Sequence, residues 1–349
     1  MKMDNAGNGL RGLRASQSPD LFKILRNCYG IDSEKDAVDL GGSSSLNLLV
    51  SDDTCQYVLR VYRPYVTEAR LMDIHRVRRE LTASGVPCSK IVATRDGYPW
   101  TMLDDRLVEV EYYIEHDADM DTWERLEIGL AILGTIHTIL RDVKVSSDAR
   151  NPLFANHIEP YDAISRTLLG TRRIREWDAP SPAELRLADA TEELSHLVFS
   201  AEKDLVETLP RQLAHGDFWD NNVLFRDGSV VLVTDFDFMG ERARIDDLAL
   251  TLYFTCLKYS KDQLPDDLLQ GLRRLVDAYD DSLGDPLTSI ERAALPLAIV
   301  RQPLWSVGGW VALLDDEESA RQHANESIWE VEWALRILCE IKKWQMAFA

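Results

Sequence analysis

Cysteine pairs, a basic excess and an unbroken apolar span are all missing from this 349-residue chain. Its five cysteines, Cys28, Cys55, Cys88, Cys256 and Cys339, are odd in number and scattered, with no Cys-x-x-Cys spacing. That pattern argues against a disulfide framework and a structural zinc centre, and it fits a reducing compartment. Lys and Arg total 39 against 59 Asp and Glu, a formal net charge of -20. A field of that sign repels nucleic acid and anionic membranes, so neither is expected as a partner. It suits a cationic ligand, although solubility alone also accounts for an acidic surface. The most apolar long run, residues 293–314, is broken by Pro296, Arg301, Gln302 and Pro303. It predicts a kinked buried helix rather than a membrane span. Residues 1–18 carry Gly, Asn, Ser and Arg without an apolar segment, and read as a mobile tail with no signal peptide. The expectation is a cytoplasmic protein, monomeric or homodimeric.

Strand patterns fill the first third of the chain. A short helix over Pro19–Tyr29 precedes a hairpin, Val38–Leu40 and Leu46–Ser51, whose tip Gly41-Gly42-Ser43-Ser44-Ser45 is small and polar. Gln56–Tyr62 is a third strand, and Thr67–Ser84 a helix closed by Gly85. Further strands are expected at Ile91–Thr94, Trp100–Leu103 and Val108–Ile114. From Thr122 the period changes to 3.6, with Leu126, Leu130, Leu133, Ile136, His137 and Leu140 near one face. Prolines 152, 160, 180 and 182 mark residues 144–182 as an irregular or partly helical insertion. Ala183–Thr208 is a charged helix, and residues 246–345 are nearly all helical. The order implies an α+β fold of two lobes with a cleft between them, a favoured place for a ligand. The expected division is a tail at 1–18, a β-rich lobe at 19–115 and a helical lobe at 116–349.

The chemistry concentrates between Leu213 and Asp237. An apolar strand end, Leu213-Ala214, runs into His215-Gly216-Asp217, with Asn222 five residues later and Asp235 thirteen beyond that. Phosphoryl transfer needs such a set: a carboxylate to accept a hydroxyl proton and two oxygen ligands for Mg2+. Val223-Leu224-Phe225 can pair with Val230–Val233 through an Arg226-Asp227-Gly228-Ser229 turn. That hairpin would bring Asn222 and Asp235 to one end, suited to a cation that keeps phosphate and water as its other ligands. Asp237 lies two residues on and has three open roles: a second ion, the substrate, or a solvated turn. His215 is read as a buried residue that braces the loop, and Asp247 as a helix N-cap. In the first lobe, Gly42, Ser43, Ser44 and Ser45 offer amides and hydroxyls to phosphates. Arg60 is a charge inside an apolar strand and needs a partner, which a nucleotide phosphate together with Glu80 would supply.

The His215-x-Asp217-x4-Asn222 signature with Asp235 resembles the aminoglycoside phosphotransferase and choline kinase-like superfamily, small-molecule relatives of the protein kinases. The resemblance covers most of the chain, from the Gly/Ser loop to Asp246-Asp247-Leu248-Ala249. It implies a bilobal kinase-like fold with Mg2+ and ATP or GTP, Asp217 as base, and Asn222 and Asp235 as metal ligands. It also implies a hinge at Tyr112-Tyr113-Ile114 whose backbone contacts the purine. Two departures stand out. Arg60 occupies the strand position where the superfamily commonly has Lys, and an Arg grips phosphate in a fork with a different reach. Asp237 replaces the glycine of the protein-kinase Asp-Phe-Gly motif, a form closer to the homoserine kinase-like and choline kinase-like branches. No His-Arg-Asp loop or Ala-Pro-Glu segment is present, which disfavours a protein substrate.

The expected activity is transfer of the γ-phosphate of ATP to a hydroxyl of a small polar molecule. An aminoglycoside or other amine-bearing, antibiotic-like acceptor leads, with a homoserine kinase-like or choline kinase-like metabolic enzyme as the alternative. A kinase-like nucleotide-binding protein without catalysis is the reading of another class. Acidic runs at Asp315–Glu318 and at Asp277, Asp280 and Asp281 could meet ammonium groups, or simply face solvent. Trp305, Trp310, Trp329 and Trp333 could wall a pocket or pack a core.

Overall fold

The computed structural model describes residues 14–33, 37–41, 45–64, 66–152, 157–260, 265–314 and 316–349. The expected loop residues Gly42, Ser43 and Ser44 therefore lie outside the described residues, as does Asp315. Helix α1 (Pro19–Ile24) runs into a wider π-type turn at Leu25–Tyr29. Strands β1 (Val38–Asp39), β2 (Leu46–Ser51) and β3 (Gln56–Val61) follow as antiparallel neighbours. Helix α2 (Glu68–Ala83) starts where the Thr67 hydroxyl accepts a hydrogen bond from Arg70 N–H. Strands β4 (Ile91–Val92), β5 (Thr101–Leu103) and β6 (Arg106–Tyr112) complete a sheet of order β1-β2-β3-β6-β4, with β5 also on β6.

Period two sorts this sheet into an apolar face and a charged one. Leu46, Leu48, Val50, Leu59, Val61, Val108 and Val110 pack beneath Leu21, Leu25 and Tyr29 of the N-terminal helical turn. The alternate positions Arg60, Glu109 and Glu111 face α2, with Arg60 directly opposite Glu109 in register. Buried charges need partners. Glu109 accepts hydrogen bonds from Tyr62 Oη and Arg78 Nη1 and meets His75 Nε2 at 2.6 Å. Arg78 also reaches Glu111 Oε1 at 3.0 Å and the Ser89 carbonyl at 2.8 Å. Burial opposes the Glu109 charge, yet the bond from His75 and the charge of Arg78 hold its pKa well below the usual carboxylate range.

The second lobe is mostly helical. Strand β7 (Ala118–Asp119) and helix α3 (Trp123–Leu140) lead to α4 (Ser147–Arg150), α5 (Ala163–Glu176) and α6 (Pro182–Val206). The stretch expected to be irregular or partly helical holds the fourteen-residue α5, because its prolines bracket that helix instead of interrupting it. Ser181 and Glu184 form a reciprocal capping box on α6, with Pro182 in the first turn. Next come β8 (Arg211–Ala214), β9 (Val223–Arg226), β10 (Ser229–Val233) and β11 (Gly240–Ala243). The rest is α7 (Ile245–Tyr259), α8 (Pro265–Asp281), α9 (Ser289–Arg301), α10 (Pro303–Trp305), α11 (Glu317–Cys339) and α12 (Ile341–Phe348). Pro296 lies inside α9, and a π-type turn at Ser306–Val311 follows α10, the kinked buried segment expected from the prolines. The large core joins these helices to the inner side of α2 through Leu71, Ile74, Val77 and Leu81. Helix α2 is therefore shared by both lobes. Among the described residues, no helix is long and apolar enough to cross a membrane.

Arg78→Met takes the guanidinium away from both Glu109 and Glu111, and should destabilise the chain by about 3–5 kcal/mol in urea unfolding. Arg79→Met on the exposed side of α2 should change stability by roughly 0.5 kcal/mol or less. Equal effects from the two would remove the network's role.

Candidate active site

The loop between β8 and β9 is held from below by buried groups. β8 pairs with β11 in antiparallel register, Ala214 opposite Gly240, so the chain enters the loop from a fixed ladder. Asp247 Oδ2 accepts the His215 N–H at 2.7 Å, and Oδ1 accepts the Gly216 N–H at 2.8 Å. The same carboxylate lies 3.1 Å from His137 Nε2, whose Nδ1 meets Tyr279 Oη at 2.7 Å. Asp247 was expected to cap its own helix. It is instead the third residue of α7, buried, and it ties down the loop backbone. Burial opposes its charge, but the hydrogen bond from His137 and the charge of Arg242 lower its pKa to about 2.

Gly216 has φ +84, and a Cβ there would lie 2.1 Å from the Phe238 carbonyl oxygen. Only glycine suits that backbone and that contact. His215 is fully buried between Phe218 and Phe236. Its Nδ1 accepts the Asp217 N–H at 3.2 Å and its Nε2 donates to the Thr234 carbonyl at 3.0 Å. These bonds define one neutral tautomer, and burial lowers the pKa further. His215 braces the loop and is not arranged as a base.

Asp217 stands half-buried at the loop's opening. Asn222 Nδ2 donates to the Asp217 carbonyl at 2.7 Å and to its carboxylate Oδ2 at 3.1 Å. With the amide nitrogen so engaged, the ligand atom Asn222 has to offer a cation is Oδ1. The β9–β10 hairpin forms as expected, Val223 opposite Val233, through a turn with Asp227 and Gly228 both at positive φ. This is the geometry of a tight right-twisting hairpin. The Thr234 N–H donates to the Asn222 carbonyl at 3.0 Å, which places Asn222 and Asp235 at one end. Asp235 itself is left-handed, φ 64 and ψ 60, a strained setting of order 1 kcal/mol for a non-glycine residue. Two hard oxygen donors from one hairpin end are the kind of set that suits Mg2+, which takes few protein ligands beside phosphate.

Arg60 is buried at the lobe interface, with Nη1 3.3 Å from Asp235 Oδ1 and 3.4 Å from Asp237 Oδ1. Glu80, expected as its partner, is exposed on the outer side of α2. The helical turn turns Arg78 inward, and the strand arginine pairs across the cleft instead. Asp237 is no solvated turn residue: its side chain is 1% exposed. It accepts a bond from Ser45 Oγ at 3.2 Å and lies 3.5 Å from Arg63 Nη2. Burial, then the charge of Asp235, raises its pKa, against the lowering effect of Arg60, Arg63 and Arg70. Arg63 and Arg70 escaped sequence reading. Their partners at Asp237 are 167 or more positions away, and no local spacing signals them.

At the hinge, the Tyr112 N–H donates to the Lys90 carbonyl at 2.9 Å and the Tyr113 N–H to the Gln56 carbonyl at 3.0 Å. Both are spent on backbone carbonyls, so of the three expected hinge amides that of Ile114 alone has no backbone partner among the described residues. The acidic clusters are largely satisfied internally. Asp277 and Asp280 pair with Arg292, and Asp316 caps α11 by accepting the Ser319 N–H. Trp333 is core, packed on Tyr253 and Trp344.

Comparison with known proteins agrees with this layout. The family model described as the phosphotransferase enzyme family matches residues 37–281. The chain belongs to that family. A homoserine kinase of Zymomonas mobilis subsp. mobilis is 26% identical over 255 residues, covering 72% of this chain and 73% of that one. A homoserine kinase of Rhodospirillum rubrum is 26% identical over 284 residues, with coverage of 78% and 76%. Among solved structures, an amicoumacin kinase in complex with AMP-PNP, Ca2+ and Ami superposes with a TM-score of 0.65 at 15% identity, covering 90% and 93% of the two chains. A microcompartment-associated aminopropanol kinase gives 0.64 at 19% identity and 91% and 97% coverage. An aminoglycoside phosphotransferase of Alicyclobacillus acidocaldarius gives 0.63 at 17% identity and 95% and 97% coverage. The fold is kinase-like, and the protein is a small-molecule kinase.

The Asp247 charge stabilises the fold fully above about pH 4, because its folded pKa of about 2 lies below the ordinary 3.8. That contribution, roughly 2 kcal/mol, should disappear as pH falls through 2. Asp247→Asn should therefore flatten the acid limb of a stability-versus-pH curve. An unchanged limb would refute the assignment.

Proposed function

We propose that the protein transfers the γ-phosphoryl group of ATP to a hydroxyl of a small amine-bearing acceptor. Residues 19–115 grip the nucleotide and residues 116–349 hold the acceptor. The observation that supports this reading is the set Asp217, Asn222 and Asp235 at one hairpin end, with Asp235 in contact with the guanidinium of Arg60. As the acceptor oxygen bonds to the γ-phosphorus, its proton passes to the Asp217 carboxylate and the bond to the ADP oxygen breaks. Asn222, through its link to Oδ2, would hold the Asp217 rotamer as the carboxylate takes that proton. Mg2+ held by Asn222 Oδ1 and Asp235 would neutralise phosphate charge when bound. Arg60 and the Ser45 end of the hairpin tip would take phosphate oxygens, and Ile114 with the carbonyl of Tyr112 the purine.

A cavity of about 300 Å³ opens beside the loop, walled by Trp219, Asp220, Phe254, Leu126 and Lys258. Trp219 and Phe254 lie with ring centres 4.7 Å apart. Asp220 is three residues from Asp217, so a group bound there is within about 10 Å of the base. An aromatic wall with a carboxylate suits an ammonium group. The volume is at the small end for organic ligands, which favours a compact amino alcohol or hydroxy amino acid over a multi-ring antibiotic. The kinship with homoserine kinases supports the same choice.

Asp217→Asn should lower kcat by about 10³-fold with nucleotide affinity within a fewfold. Near-normal turnover by that variant would sink the mechanism. An ADP-release screen should respond to homoserine or short amino alcohols before aminoglycosides, and Asp220→Asn should raise KM for that amine by about tenfold. Silence with every acceptor beside tight nucleotide binding would favour a non-catalytic binder. Asn222→Ala should shift the magnesium titration to higher concentration, and an unmoved titration would remove its ligand role.

A further inference from the structure

Four side chains of the first lobe, Ser45, Arg60, Arg63 and Arg70, meet at the Asp237 carboxylate and its peptide group. Ser45 Oγ, which follows the glycine-serine tip, donates to Oδ2 at 3.2 Å. Arg60 Nη1 of β3 lies 3.4 Å from Oδ1, and Arg63 Nη2 lies 3.5 Å from Oδ2. Arg70 of α2 donates to the Asp237 carbonyl through Nε at 2.9 Å and Nη2 at 2.7 Å, and also bonds the Met239 carbonyl. Arg63 is itself fixed, its guanidinium 4.1 Å from the Phe238 ring centre. Asp235 completes the group through its contact with Arg60 Nη1 at 3.3 Å.

We propose that Asp237 is a positioning residue that clasps Arg60 and the Ser45 end of the phosphate loop in place for the nucleotide, rather than a metal or substrate ligand. Both its oxygens are engaged by donors from the first lobe, and at 1% exposure no ion or acceptor reaches them. Arg60 is shared between Asp237 and Asp235. A cation that takes Asp235 removes one anchor from Arg60, and Asp237 retains the other. Among the described residues Arg60 Nε is buried and without a hydrogen-bond partner, so this guanidinium keeps a donor in hand while both carboxylates are engaged. Three guanidiniums against two carboxylates leave the locus one positive charge in excess, matched to phosphate. Loss of the Asp237 charge would leave Asp235 as the carboxylate competing for Arg60. The arginine would then be drawn onto the metal position and off the phosphates.

The proposal rests on reading Arg60 as a phosphate contact, and ADP binding in the presence of EDTA tests it, measured by isothermal titration calorimetry on the full chain. Asp237→Asn should weaken metal-free ADP binding about tenfold, and the same change made in an Arg60→Met background should have little further effect. A direct metal ligand behaves otherwise: metal-free binding stays within twofold while the magnesium requirement rises. That result, or full additivity with Arg60→Met, overturns the clasp. A purely architectural Asp237 would lower the melting temperature and leave binding by the folded fraction unchanged, which overturns it too. Should Asp237→Asn fail to fold, Ser45→Ala carries the test, with an expected loss of about threefold in metal-free affinity and an unaltered value as the refuting outcome. No ADP binding by the unaltered chain would sink the kinase reading itself, a result distinct from the others.

Discussion

Carboxylates withdrawn from water must be matched by donors, and Asp247 meets that demand with the backbone of the very loop that carries Asp217. Its oxygens take the His215 and Gly216 N–H groups, while His137 and Tyr279 hold it from the helical side. The loop thereby inherits the rigidity of α3, α7 and α8. His215 extends the same brace upward through Asp217 N–H and the Thr234 carbonyl. Asp217, Asn222 and Asp235 project from that base, and their mutual distances follow from it.

A second buried carboxylate plays the corresponding part between the lobes. Asp237 collects Ser45, Arg60 and Arg63 from the sheet side, and Arg70 closes on the carbonyls below. Helix α2 contributes apolar residues to the large core as well, so the lobes share a helix in addition to an ionic cluster. This differs from a sheet joined to a helical body by a hinge alone. Among the described residues, both connections tie the sheet to the helical body. The charged face of the sheet, with Arg78 satisfying Glu109 and Glu111, lets that helix lie on polar positions without stranding them.

Much of the candidate site was legible in local spacing. Asp217, Asn222 and Asp235 are within nineteen positions, and a hairpin of known turn chemistry joins the last two. The role of His215 was legible too, because an imidazole beside a catalytic-type loop is commonly a brace. Glu80 was misassigned because helical phase is settled by what packs inside, and Arg78 rather than Glu80 faces the sheet. Asp247 was misassigned at short range: it looked like a cap, yet its carboxylate turns back to the loop 31 and 32 positions earlier. Arg63 and Arg70 had no signal at all.

The amino-acid sequence alone determined the two-lobed order and the reaction class, and it singled out the candidate residues of the hairpin, since period, turn residues and short spacings act between near neighbours. Tertiary structure alone decided which charges pair. Whether Arg60 meets Glu80 or Asp235, and whether Asp237 faces water or three guanidiniums, depends on segments about 170 residues apart, Arg60 to Asp235 being a separation of 175. Only folding brings them within Coulombic reach, and only burial makes each pairing obligatory.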